Sequence, residues 1–387
     1  MSDALLDSIS EHFAGLDDPR RDNANRRHEF LDILTIALCA VIGGANHWTT
    51  VVTFAEAKEA WFRRFLRLPN GIPSHDTFSD VFAKIEPERF ERCFVAWVEA
   101  LLCSLPGAAL SEAPIVAVDG KTLRRSHDRA NGVKAAHIVS AYAGATSMVL
   151  GQVRTSDKSN EITAIPILLD MLAIDGALVT IDAMGCQRAI AEKIVERGAD
   201  YLLTVKENQP ELCTAVGEAF CDKDRERFAR RFGEAAEQRN EGHGRHERRR
   251  CWVCTEAEVI EPLSSTWEGL KSLVIIDSER TLANGERTSD VHWYISSRVD
   301  TPESFLPARR QHWSVENGLH WVLDVAFRED ECRVRKGDGA ENLSILRRIA
   351  LNLLKQEKTH KGGIEAKRCR AGWDEGYMET VLTGLLA

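Results

Sequence analysis

A mixed α/β fold preceded by a helical region is what three features of this 387-residue sequence predict. The first hundred residues carry apolar side chains at helical spacing. Short β-branched-rich runs take over from Ile115, and helical segments alternate with the last of those runs.

Taken in order, His28 to Gly43, Thr49 to Leu68 and Pro87 to Leu105 are predicted helices, separated by turns containing Gly and Pro. After the turn GIPSHD, Ser74 or Asp76 can cap a short helix holding Thr77, Phe78, Val81 and Phe82. The loop-like PGAALSEAP, from Pro106 to Pro114, marks a boundary, so a helical domain is expected over 1–108. Strands are expected at Ile115–Asp119, Ala136–Tyr142, Met148–Val153, Ala177–Asp182 and Tyr201–Lys206, with helices at Glu161–Leu172 and Arg188–Arg197. These elements form a second unit over 112–212. Charged, strand-like segments (RRRCWVC, LVIID, VHWYIS) fill 213–290. A last unit, 291–387, opens with a helix at Thr301-Pro302, a cap residue followed by proline at the first helical position. It closes on an amphipathic helix marked by Leu343, Leu346, Ile349 and Leu353.

Composition narrows the class. Apolar residues at 44% and charged residues at 28% are ordinary for a globular protein. The apolar run Ile33–Ala45 is shorter than the ~20 residues of a membrane span, so a buried helix is expected there and no membrane partner. An acidic start without a signal-peptide core and ten scattered cysteines point to a reducing cytoplasm. The net charge of −9 argues against nucleic acid as partner, yet the charge is uneven. Lys223–Arg250 holds ten Lys/Arg against six Asp/Glu, and Arg328–Arg370 twelve against seven, enough for a phosphate track.

Two nucleotide motifs fail. Gly120-Lys121-Thr122 would end a P-loop only with glycine at 115, where Ile115 stands, and no GxGxxG follows a strand. His243, His246, Cys251 and Cys254 suggest zinc, but a strand through RRRCWVC puts the two cysteines on opposite faces. The stronger signal is carboxylate. Asp119 and Asp182 each close an apolar run, and in neighbouring strands their carboxylates converge; an aspartate ending a strand also serves as a turn cap, so each alone says little. Glu316 lies one residue off the stripe Val315, Leu319, Val322, Ala326, with His312, His320 and Asp324 on its own face at four-residue spacing. It either leans towards the two aspartates or belongs to a solvated face, and His312, Glu316 and His320 could also form a helix-borne metal site. Three carboxylates suit hard divalent ions such as Mg²⁺, and two such ions ~3.5–4 Å apart support phosphoryl transfer.

VDGKTLRRS, IDAMGCQ, LLTVKENQP, GHGRHERRR, WYISS and HWSVENGLHWVLDVAFRED, together with DPRR and GIPSHDTF near the N-terminus, resemble the H-repeat-associated group of bacterial insertion-sequence transposases. The resemblance runs nearly end to end. It implies a DDE transposase with an RNase H-like catalytic core, split between 112–212 and 291–387 by the β-rich insertion 213–290. It further implies that Asp119, Asp182 and Glu316 are catalytic and bind two Mg²⁺, with Mn²⁺ able to substitute. The reaction implied is cleavage of double-stranded DNA at the terminal inverted repeats, then attack of the freed 3′-hydroxyl on target DNA, by a homodimer on DNA at the bacterial nucleoid. Lys206, Asn208 and Gln209 match a motif after a strand and are candidates for DNA contact. Lys121, Gln187, His312, His320 and Asp324 are candidates for DNA contact or for support of the ligands. The wider group's Tyr, Arg, Glu, Lys signature is altered here to Arg309, His312, Glu316 and Leu323, which makes Asp324 the substitute for Glu316 to compare. The rival readings are a nuclease or resolvase on the same core, and an inactive DNA-binding relic.

Overall fold

Asp119 lies inside a strand rather than at its end, and the pairing around that strand organises the whole molecule. The computed structural model describes residues 8–21, 26–104, 114–127, 132–155, 160–221, 228, 231–242 and 245–386. Most of the boundary loop expected at 106–114 lies outside them, as does His243. Nine strands are described: β1 (Ile115–Thr122), β2 (His137–Ala143), β3 (Met148–Arg154), β4 (Leu178–Ile181), β5 (Asp200–Val205), β6 (Ala236–Gly242), β7 (Arg245–Cys254), β8 (Ser272–Leu282) and β9 (Arg287–Ser296). The helices before β1 include α1 (Phe30–Ile42), α2 (Trp48–Ala57), α3 (Glu59–Phe62), α4 (His75–Phe82) and α5 (Pro87–Ser104). Among and after the strands come α6 (Glu161–Met171), α7 (Arg188–Glu196), α8 (Pro210–Phe220), α9 (Ala257–Ser264) and α10 (Pro302–His312). A π-helical turn (Glu316–His320) then leads into α11 (Trp321–Val325), followed by α12 (Gly339–Gln356), α13 (Ile364–Trp373) and α14 (Glu375–Leu382).

All nine strands form one mixed sheet in the order β3-β2-β1-β4-β5-β9-β8-β7-β6. β2 runs antiparallel to β1 and β3, β4 and β5 run parallel to β1, and β9 to β6 continue antiparallel. This mixed sheet behind a helical N-terminal part agrees with the fold class expected. The strands of 213–290 are not a separate layer: they extend the sheet by pairing β9 with β5 from Trp293 to Ser296. β1 outlasts its apolar run because Gly120, Lys121 and Thr122 keep pairing with Val139, Ile138 and His137 of β2. Its parallel pairing with β4 stops at Val118 and Ile181. Asp119 is therefore mid-strand on one side and at the strand end on the other.

Strand alternation sorts the two faces. Val179, Ile181, Tyr201, Leu203, Leu273, Ile295 and Cys254 join the large core with the N-terminal helices. Leu178, Leu202, Val274, Ile276, Tyr294 and Cys251 join Phe305, Leu306 and Ala308 of α10 on the other face. Cys251 and Cys254 are thus split between faces, as the strand pattern requires. On the first face, α12 packs against α1, α5 and β3 and carries the N-terminal helices onto the sheet. α1 is apolar nearly all round and buried from Asp32 to Ile42, which accounts for the run Ile33–Ala45. Among the described residues, no helix is long and apolar enough to cross a membrane. Ser74 caps α4, accepting the Thr77 backbone N–H at 3.3 Å.

Candidate active site

Register brings the two aspartates together. Val118 pairs with Ile181, so Asp119 and Asp182 are side by side one step further on, with strands about 4.8 Å apart. Leu178 and Thr180 face α10, and Ile115, paired with Leu178, packs there too, so by alternation Asp119 and Asp182 share that side. Both carboxylates therefore face α10 and the turn after it, at the carboxyl ends of parallel strands where open α/β sheets bind ligands.

That turn supplies Glu316. The segment Glu316–His320 is π-helical, a one-residue excess common at functional sites. Val315 and Leu319 pack on the sheet, and the extra residue makes Leu323, rather than Val322, the next fully buried position. Val322 and Ala326 of the expected stripe still pack on the core, with Leu323 added beside them. Gly318 permits the turn's close approach: a Cβ there would lie 2.4 Å from the Tyr142 hydroxyl. The half-buried Lys355 ammonium donates to the Gly318 carbonyl at 2.6 Å and to the Tyr142 hydroxyl at 2.8 Å. It thereby satisfies a carbonyl of the irregular turn. Burial pushes the Lys355 pKa down to about 7.

One donor atom each from Asp119, Glu316 and His320 lies within 4.8 Å of the others. His320 Nδ1 is 3.1 Å from Glu316 Oε2 and 3.5 Å from Asp119 Oδ2. Burial, reinforced by the Glu161, Asp182 and Glu316 carboxylates, raises the Asp119 pKa to about 7 against the pull of the Gly120 N–H. So much anionic character around one half-buried carboxylate fits a divalent cation, and oxygen donors are what Mg²⁺ takes. Asp182 is outside the three-residue group. Its Oδ1 accepts the N–H groups of Met184 (3.0 Å) and Gly185 (3.2 Å), and its charge is felt by Asp119. His312 is held against the same strand by Thr180, 3.2 Å away, and burial lowers its pKa against the opposing effect of Asp182.

Other expected residues divide by position. Lys121 is buried and ion-paired with Asp324 (2.7 Å) and Asp330 (3.3 Å), so Asp324 is engaged away from the Asp119–Glu316 pair. Asn208 donates to the Ala183 carbonyl (2.7 Å), Gln209 to Cys186 (2.8 Å) and Gln187 to Met184 (3.2 Å). All three brace the loop after Asp182. Lys206 is exposed and lines a cleft beside Asp182 with His292, Arg309, His312 and Trp313. Arg309 reaches Ser278 and lies 3.7 Å from Asp290. Sequence reasoning missed Glu161, which reaches Asp119 electrostatically and meets His137 at 2.6 Å across Gly120. It also missed Tyr142 and Lys355. The one available signal was Gly318, an isolated glycine inside a helical pattern.

The two basic stretches separate as well. On β7, Arg248 pairs with Glu237, Arg249 with Glu247 and Arg250 with Asp277 and Glu279. In 328–370, Arg347, Arg348, Lys367 and Arg368 are buried. Arg348 is bound to Glu329, and Arg368 to the carbonyls of Val41, Ala45 and Ala326. Exposed cations remain at Arg328, Arg333, Arg335, Lys336, Lys358, Lys361 and Arg370; Arg333, Arg335 and Lys336 border an open groove with His47, Thr49 and His75.

The fold and the converging carboxylates define the class, a DDE-type enzyme of nucleic-acid chemistry, and comparison with known proteins agrees. The chain belongs to the transposase DDE domain family, whose model matches residues 110–353, and the model of the segment associated with that domain matches 10–98. By family it is an enzyme acting on DNA. It is 39% identical over 98% of both chains to the H repeat-associated protein YhhI of Escherichia coli K12. It is 38% identical to YbfL of the same strain, again over 98% of each chain. A piggyBac transposase synaptic complex with hairpin DNA aligns with all of this chain and 81% of its own, at 12% identity and a TM-score of 0.42.

Proposed function

We propose that this transposase cleaves DNA at the terminal inverted repeats of an insertion sequence and joins the freed 3′ ends to target DNA. Asp119, Asp182 and Glu316 hold two divalent ions in this reading, Mg²⁺ or Mn²⁺. The observation that carries it is the convergence of Asp119 and Glu316, from a strand and a π-helical turn, beside Asp182 just past the end of the next strand. Bound ions of this kind activate the attacking oxygen and stabilise the leaving one. The chain's own part is to fix the carboxylates. The β1–β2 ladder holds Asp119. The Met184 and Gly185 N–H groups orient Asp182, with Gln187, Asn208 and Gln209 securing the loop behind them. Lys355 and Tyr142 set the turn that carries Glu316. Lys206, exposed beside Asp182, is suited to a phosphate of the DNA, and the Arg333–Lys336 groove to the flanking duplex. Pairing two element ends calls for a homodimer on DNA.

The test is incubation of the purified chain with terminal-repeat DNA and Mg²⁺ or Mn²⁺. Joined products with target DNA are the expected result. Cleavage without joining from ends bearing a free 3′-hydroxyl would make the chain a nuclease or resolvase, and binding without any cleavage would make it an inactive relic.

A further inference from the structure

We propose that His320 is itself a metal donor, so that one ion site of this centre is mixed nitrogen and oxygen and takes a first-row transition ion such as Mn²⁺ in preference to Mg²⁺. The inference rests on the carboxylate centre proposed above and adds a ligand to it. The geometry is suitable before any ion arrives. Donors lying about 2.1 Å from a hexacoordinate ion are about 3.0 Å from their nearest neighbours. His320 Nδ1 stands 3.1 Å from Glu316 Oε2 and 3.5 Å from Asp119 Oδ2, so small movements suffice for all three to share one ion.

The ring is also placed as a ligand would be. His320 is 4% exposed, and the residue four positions earlier on the π-helical turn is Glu316, so one short segment presents both donors. Nε2 is buried without a hydrogen-bond partner among the described residues. Without an ion, Nδ1–H donates to Glu316; with the proton on Nε2 instead, Nδ1 offers its lone pair to a cation in place of that hydrogen bond. The neighbouring cation, Lys121, is occupied by Asp324 and Asp330, so it does not fill the space between Asp119 and Glu316. An imidazole in the donor set discriminates between ions: Mg²⁺ favours oxygen and gives up its waters reluctantly, whereas imidazole nitrogen binds first-row transition ions well.

A structural alternative exists, in which His320 only hydrogen-bonds Glu316, and the experiment separates the two. Mn²⁺ is titrated into the full metal-free chain and followed by electron paramagnetic resonance, with pulsed measurements to detect nitrogen bound to the ion. Mg²⁺ affinity is read by competition. Wild type should show ¹⁴N coupling. His320→Asn, which keeps a polar atom near the position of Nδ1, should lose the coupling. That variant should also bind Mn²⁺ roughly tenfold or more weakly, while Mg²⁺ affinity changes by less than about threefold. Bound Mn²⁺ without nitrogen coupling in wild type overturns the proposal, whatever the stability of the variant. Equal weakening for both ions does so too. Asp119→Asn serves as the control on the underlying centre. If it leaves Mn²⁺ binding intact, the carboxylate reading itself fails; if it abolishes binding while wild type lacks nitrogen coupling, only the histidine inference falls.

Discussion

Asp119 and Asp182 are neighbours in register, yet the protein holds them in opposite ways. Asp119 is inside a strand, laddered to β2, half-buried and surrounded by carboxylates. Asp182 stands one residue past the end of β4, where its side chain caps a loop through two backbone N–H groups. The first is rigid and electrostatically loaded; the second is oriented by a loop that Asn208 and Gln209 brace from the next crossover. Two carboxylates required by one chemistry thus draw their precision from different sources, a ladder in one case and a hydrogen-bonded loop in the other.

The largest effects test whether that difference matters to catalysis. Asp119→Asn and Asp182→Asn should each lower metal-dependent cleavage of terminal-repeat DNA by roughly 10³-fold or more. DNA affinity in a gel-shift assay should stay within about threefold. Residual cleavage in Asp182→Asn alone would mean that the loop-held carboxylate is replaceable and the pair unequal. A smaller effect comes from the third carboxylate. Glu316→Gln should lose cleavage by roughly 10²-fold or more. Asp324→Asn should chiefly destabilise the chain, by about 1–3 kcal/mol, because it weakens the pairing of buried Lys121, a loss that Asp330 partly offsets. Assay of both variants alongside thermal melting decides the matter. If only Asp324→Asn abolishes cleavage, Glu316 is the wrong residue.

Local signals carried much of this architecture. β-branched runs became strands, Thr301-Pro302 opened α10, Ser74 capped α4, and the apolar run after Asp32 became a buried helix. The single sheet was less legible, since β6 to β8 expose charged side chains and pair through long-range ladders that no local pattern encodes. The basic stretches were legible only in part for a related reason: composition counts Arg347, Arg348 and Arg368 as surface charge, whereas they satisfy Glu329 and backbone carbonyls inside the fold. At the candidate site, spacing found the carboxylates but not what shapes them. A 3.6-residue period cannot anticipate one extra residue at Glu316–His320. Nor does it connect Gly318 with Lys355, which reaches it only because α12 packs across the sheet.

The smallest effect isolates the electrostatic half of the comparison, in protein stripped of metal by EDTA. With a folded-state pKa of about 7 and an unfolded value of about 3.9, Asp119 keeps its proton in the fold after the unfolded chain has released it. Its contribution to stability is therefore full below about pH 4 and declines as pH rises, being lost once pH passes about 7. Glu91, raised to about 8, and Glu341, raised to about 7, titrate in the same region, so the wild-type profile alone does not assign the decline. The difference between wild type and Asp119→Asn does. The variant should melt progressively higher relative to wild type from pH 4 to pH 8, reaching roughly 2–5 °C at the upper end. Addition of Mn²⁺ at pH 8 should reverse the order, because the ion stabilises only the chain that binds it. Asp182→Ala should instead melt lower than wild type already in EDTA, having removed the acceptor for two backbone N–H groups. A flat difference profile for Asp119→Asn would mean that crowding at this carboxylate is relieved without a metal, and the contrast between the two aspartates would then be one of geometry alone.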